Sequence, residues 1–137
     1  MQMVVEGPRG GQLDNSLSAY TMLAVKSFAK QLKINRKKFT VVVKLHHKSV
    51  INDTVEGEVE PLSDRAFIID VCLYGNWLST LAHEMVHVKQ FVNHELDATL
   101  TRWKSNRYCD NIDYWDQPWE KEARRLQNKL VQEFDSF

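Results

Sequence analysis

An α+β fold is predicted for this chain by three observations. Two runs rich in β-branched and apolar residues, 39–45 and 66–74, read as strands. Three longer segments repeat apolar residues at three- and four-residue steps, as amphipathic helices do. Helices and strands do not alternate regularly, which argues against a doubly wound sheet. The expectation is a small antiparallel (mixed) sheet with an N-terminal, a central and a C-terminal helix packed on one face. The 137 residues are 43% hydrophobic and 26% charged, and they fit one domain with its own core, residues 1–137.

Residues 1–12, with Gly7, Pro8, Gly10 and Gly11, read as a flexible lead-in. Leu13, Leu17, Tyr20, Ala24, Phe28 and Leu32 then make the first helical stripe, with Asp14, Asn15 and Ser16 as caps. The run from Phe39 to Leu45 is the first strong strand. His46 and His47 end it on opposite faces, so they are read as surface histidines that cannot share a metal. An acidic, alternating stretch around residues 55–60 reads as an exposed hairpin or edge strand, set off by residues 52–54 and 61–64. The run 66–74 is the second strong strand. Leu78, Leu81, Met85, Val88 and Val92 mark the central helix, which Asn76 is placed to cap. Pro118 and Trp119 open the last helix, where proline's missing N–H is harmless. Its apolar face is Trp119, Ala123, Leu126, Leu130 and Phe134.

Charge and cysteines narrow the classes. Lys plus Arg equals Asp plus Glu, so net charge selects no partner. Residues 1–50 carry nine basic and two acidic side chains, the remainder nine and sixteen; the two parts are read as complementing each other within one fold. No signal-peptide core and no membrane-length apolar run is present in the sequence. Cys72 lies in an apolar run and Cys109 in a polar one, without metal or disulfide spacing, so a cytoplasmic location is expected.

The chemistry concentrates in the central helix, which contains His83-Glu84-x-x-His87. Positions i and i+4 share a helical face, so the two imidazoles can grip one metal ion. Glu84 projects about 100° away and can reach a water without binding the metal, the arrangement of a zinc-dependent hydrolase. The apolar stripe lies nearly opposite the histidines, which therefore face either water or a built site. Catalytic zinc takes three protein ligands. His94 would share the face of His87 if the helix ran on, but Gln90 and Asn93 stand where the extended motif needs glycine and histidine. Glu95 and Asp97 have no supporting pattern. The better source is the head of the last helix, Glu120 or Glu122, with Ala123 beside them; both flank the apolar face, and helical geometry does not choose.

With those residues the chain resembles the gluzincin zinc peptidases, whose His-Glu-x-x-His helix is completed by a glutamate on a distal helix. In size and element order it is most similar to the minigluzincins and SprT-like domains, over roughly residues 65–125. The resemblance implies one Zn²⁺ per chain on His83, His87 and Glu120, with Glu122 as runner-up. It also implies Glu84 as general base, a peptide or protein substrate, and pairing of an extended peptide with strand 66–74. Arg124 departs from the family, which often has Asp or Asn there to orient a zinc histidine. Tyr114 or His94 is left as the oxyanion donor. Two other readings are a non-catalytic zinc-binding or interaction domain, and a nucleic-acid-associated protease. Arg102, Lys104 and Arg107 interleave with aromatics across 103–119, but Asp110, Asp113 and Asp116 dilute that patch, so nucleic acid is not the favoured partner.

Overall fold

Valines and isoleucines at alternate positions give the sheet its buried face. Val41, Val43 and Leu45 in one strand, and Phe67, Ile69 and Val71 in the next, are fully or almost fully buried, while the residues between them are half-exposed. A computed structural model describes residues 1–7, 15–47, 56–107 and 112–136. In chain order its elements are β1 (Gln2–Glu6), α1 (Asn15–Gln31), β2 (Thr40–His46), β3 (Gly57–Ser63), β4 (Ala66–Cys72), α2 (Trp77–Val92), β5 (Arg102–Trp103), β6 (Asn106–Arg107) and α3 (Pro118–Asp135). A 3-10 turn, Tyr114–Asp116, precedes α3. The fold is α+β.

The main sheet runs β1-β2-β4-β3, with β1/β2 and β2/β4 parallel and only β3/β4 antiparallel. It is thus mixed. One of the two parallel pairs involves a strand the sequence reading missed: residues 2–6 are not part of a flexible lead-in but pair with β2 in register from Gln2–Thr40 to Glu6–Lys44. Met3 and Val5 turn inward and pack on the core, whereas Gln2, Val4 and Glu6 stay exposed. The strand is short and lies at the sheet edge, so its period-2 signal spans barely two apolar pairs. Helix α1 is the crossover that a parallel pair requires.

Helices α1, α2 and α3 supply Ala24, Val25 and Phe28, Leu81, Met85 and Val88, and Trp119, Ala123 and Leu130 to one core. Each fully buried large side chain is worth about 1.5–3 kcal/mol. Helix α3 starts with Pro118 in its first turn, as its sequence demands. Asn76 occupies the N-cap of α2, but its side chain makes no capping bond; its carbonyl instead accepts from Thr80 N–H at 3.1 Å. His46 is not a free surface histidine, since it bonds Asp70 of β4 at 2.7 Å, a diagonal neighbour on the same sheet face. Cys72 is buried, as expected. The readings at Leu13, Asp14, residues 52–54 and Cys109 lie outside the described residues. Among the described residues no helix is long and apolar enough to cross a membrane.

Gly57 sets how closely the edge strand approaches the central helix. A Cβ there would stand 2.4 Å from Thr80 Cγ2 and 3.3 Å from the Asp70 carbonyl oxygen. Thr80 is β-branched and helical, so it cannot swing away freely. Gly57→Ala is expected to destabilise the chain by about 1–3 kcal/mol, read by denaturant unfolding; unchanged stability would show that β3 is not held against α2.

Candidate metal centre

The i, i+4 spacing on α2 places the His83 and His87 rings 5.0 Å apart, edge to face. Helix α3 packs against α2, with Trp119 and Ala123 near its start buried in the shared core and the Trp119 carbonyl bonded by Gln90 of α2. Glu120 is thereby directed between the imidazoles. Its Oε1 lies 2.6 Å from His87 Nε2 and its Oε2 lies 3.3 Å from His83 Nε2. One ligand atom from each of the three residues falls within 4.8 Å of the others, so the group can bind a metal ion. Zinc–nitrogen and zinc–oxygen bonds of about 2.0–2.1 Å in a tetrahedron imply ligand separations of roughly 3.3 Å. The donor set and its spacing fit such an ion after small side-chain adjustments.

The outer partners of the two histidines are glutamines. His87 Nδ1 meets Gln90 Oε1 at 2.8 Å, and Gln90 Nε2 donates to the Trp119 carbonyl at 3.0 Å. A carbonyl can only accept, which fixes the Gln90 amide with its oxygen toward His87. Nδ1 must then carry the proton, and Nε2 is left to face Glu120. His83 is treated alike: Nδ1 meets Gln127 Oε1 at 2.6 Å, and Gln127 Nε2 donates to Ser79 Oγ at 3.3 Å. These glutamines were missed in the sequence. Both were findable from spacing: Gln127 lies seven residues after Glu120 on α3, and Gln90 lies seven after His83 and three after His87 on α2, each on the site's helical face.

Glu122, the other acidic candidate, is turned elsewhere. It takes Lys89 Nζ at 2.8 Å and Gln90 Nε2 at 3.2 Å. Glu95 pairs with Lys89, and Asp97 binds Thr99, Thr101 and the Arg102 N–H within its own loop. His94 sits in a left-handed conformation and lines a separate surface cavity with Lys37, Lys38 and Asp64. Tyr114 is brought to the site, where it lines the cleft with His83, Glu84, His87 and Glu120, and burial together with the Glu120 charge pushes its hydroxyl pKa up. Strand 66–74, expected to line the cleft, is interior and paired on both sides as β4; the rim is β3. The Trp103 and Trp119 rings are buried against each other, so neither is presented for base stacking.

Burial pulls the His87 pKa down, but the Glu120 hydrogen bond and the charges of Glu84 and Glu120 outweigh it and hold it at about 9. His83 is raised in the same way, burial being overcome by Glu120, Glu84 and Gln127. Burial pushes Glu120 up, yet its bonds from both histidines hold it well below the carboxylate range. Glu84 is raised by burial, which the neighbouring histidine charges offset only in part. The residue as a whole is 7% exposed, lines the cleft, and makes no hydrogen bond or ion pair among the described residues.

These shifts predict a pH dependence. Metal-free His87 is protonated at pH 7, and a metal needs its lone pair, so ion uptake must expel a proton and affinity must rise with pH toward about 9. Calorimetry in buffers of different ionisation enthalpy should show about one to two protons released per ion at pH 7; no release would contradict the site. A raised histidine pKa stabilises the fold below its unfolded value of 6.5 and loses that contribution as pH climbs to about 9. The metal-free chain should accordingly weaken across that window.

A cleft runs past these groups along β3. One part, about 890 Å³, is polar and includes Glu56, Glu58, Ser79, His83, Glu84, Arg124 and Gln127. The adjoining part, about 380 Å³, adds Val59, Phe91, Leu96, Leu100 and Trp119. Tyr114 borders both. No protein-family model, curated protein or solved structure matches this chain.

Proposed function

We propose that the chain is a zinc-dependent metallopeptidase that hydrolyses peptide bonds. Two imidazoles and one carboxylate suit zinc, and three protein ligands leave a coordination position open, as catalytic sites do and structural sites do not. The observation that carries the reading is Glu84. It lines the cleft beside the metal-binding group, makes no ion pair among the described residues and has its pKa raised by burial, the signature of a working acid or base. A non-catalytic zinc domain has no use for it.

When bound to His83, His87 and Glu120, zinc supplies a Lewis acid that acidifies a water and polarises a carbonyl. Glu84 takes the proton of the attacking water and returns it to the leaving amine. Tyr114, which lines the cleft beside Glu84 and Glu120, is the donor to the oxygen that becomes negative. Gln90 and Gln127 hold the imidazoles in the tautomer that presents Nε2. Among the described residues strand β3 has one neighbour in the sheet, so its outer edge can pair with an extended peptide whatever that peptide's sequence. The cleft's apolar part then receives a hydrophobic side chain.

The test is digestion of an unbiased peptide mixture by zinc-loaded protein, read by mass spectrometry. New peptide termini should appear, vanish with a chelator and return with zinc; an unchanged mixture at full zinc loading would overturn the reading.

A further inference from the structure

Most charged groups around the site are satisfied by one another. Lys89 is shared by Glu95 and Glu122, and Lys104 reaches Glu95. Arg124 is different. On α3 the residues Glu120, Arg124 and Gln127 are four and three apart, so they line one face. Glu120 and Gln127 both touch the histidines, which places Arg124 between them on the wall of the polar part of the cleft.

The guanidinium head is held in position there. Its Cζ lies 4.6 Å over the Trp115 ring, and Nη2 donates to the Trp115 carbonyl at 2.6 Å. Nη1 is shielded from water but has no hydrogen-bond partner. Arg124 also forms no ion pair among the described residues. A buried, unmade donor on a permanently charged group is costly. Arg124 as a whole lines the cleft with no carboxylate of the described residues paired to it, so a negatively charged acceptor arriving there can pair with the accessible part of the guanidinium, and a carboxylate is the acceptor a peptide carries. On the opposite wall Glu56 and Glu58 repel an anion, so the cleft accepts negative charge only on its α3 side.

We infer that Arg124 is the receptor for a substrate carboxylate and makes the site selective for peptides that carry one beside the metal centre. The carboxylate is either a C-terminal one or an Asp or Glu side chain. The ligand's being a peptide rests on the peptidase reading; the capacity of Arg124 to pair with an anion does not. Nor does it use the Asp or Asn that relatives in the resembling family place at this position, whose orienting task here falls to Gln127.

The experiment is a binding titration on full-length Glu84→Gln protein, which keeps the peptide intact. Probes are N-acetylated tetra-alanine with an amidated C-terminus, the same peptide as free acid, and amidated versions with aspartate at the second or third position. Calorimetry is run with and without zinc. At least one carboxylate peptide should bind about 10-fold or more tightly than the amide, and the free-acid and aspartate arms tell which carboxylate is used. Arg124→Gln should erase the preference at unchanged zinc content, and Arg124→Lys should keep part of it. Equal binding of acid and amide peptides, no binding of any, or a preference that survives Arg124→Gln overturns the inference. Should Arg124→Gln not fold, the acid–amide comparison and the lysine variant decide. Failure to bind zinc at all sinks the metallopeptidase reading separately, with the carboxylate preference still measurable in the zinc-free arm.

Discussion

Glu84→Gln should lower kcat for peptide hydrolysis by about 10³-fold while leaving one zinc per chain and the melting temperature unchanged or higher. The loss follows from the role of Glu84: removing a positioned general base typically costs between about 10² and 10⁴ in rate, and glutamine keeps the shape but cannot accept the water's proton. The retained zinc follows from geometry, since Glu84 is not among the atoms that converge with His83, His87 and Glu120. The stability result follows from its raised pKa. An acid whose folded pKa exceeds its unfolded value destabilises the fold above that unfolded value, so a neutral isostere removes a cost at neutral pH. Parallel assays of kcat, zinc content and thermal unfolding check all three. Activity retained within about tenfold would remove Glu84 from the mechanism.

Glu120→Ala and Glu122→Ala, two residues apart, should fail in opposite ways. Loss of Glu120 takes away one of three ligand groups, and zinc affinity should fall by more than the 10- to 100-fold typical of losing a mere outer partner, roughly 10³-fold or beyond. Loss of Glu122 should leave zinc in place but destabilise the fold by about 1–3 kcal/mol. Its carboxylate is 11% exposed and shared by Lys89 and Gln90. Lys89 keeps Glu95 and Gln90 keeps the Trp119 carbonyl, so the penalty stays below that of a wholly orphaned charge. Metal analysis and denaturant unfolding of both variants separate the outcomes. Zinc lost with Glu122→Ala and kept with Glu120→Ala would reverse the assignment of the two carboxylates.

Local patterns carried much of this. Helices α1, α2 and α3 were legible because each keeps one apolar stripe, and β2 and β4 because their apolar runs are long. The pair His83 and His87 was legible because one helix fixes both, whatever surrounds it. The meeting of α3 with α2 depends on how two apolar faces pack, and helical periodicity alone left Glu120 and Glu122 equivalent. What separates them in the structure is a partly buried lysine: Lys89, two residues after His87 and therefore on another side of α2, draws Glu122 away from the histidines. Strand β1 was missed because five residues at an edge bury only Met3 and Val5 on the strand's inner side, beside a glycine-rich stretch that suggests a loop. The reading of 66–74 as the peptide-pairing strand failed for another reason: β4 lies between β2 and β3, and strand order is set by tertiary pairing that no local pattern records. Gln90, fully buried yet polar, has its place explained by partners that lie on α3 as well as on its own helix: the Trp119 carbonyl and Glu122 on one side and His87 on the other.

The account stands most directly on where zinc binds. Crystals of the protein grown with one equivalent of zinc, measured on both sides of the zinc absorption edge, give that position without reference to activity. The account predicts one anomalous peak bounded by His83 Nε2, His87 Nε2 and a Glu120 oxygen, with bonds of about 2.0–2.2 Å and a fourth position free of protein. A fully loaded crystal whose peak lies elsewhere, or none at these three residues, would contradict it.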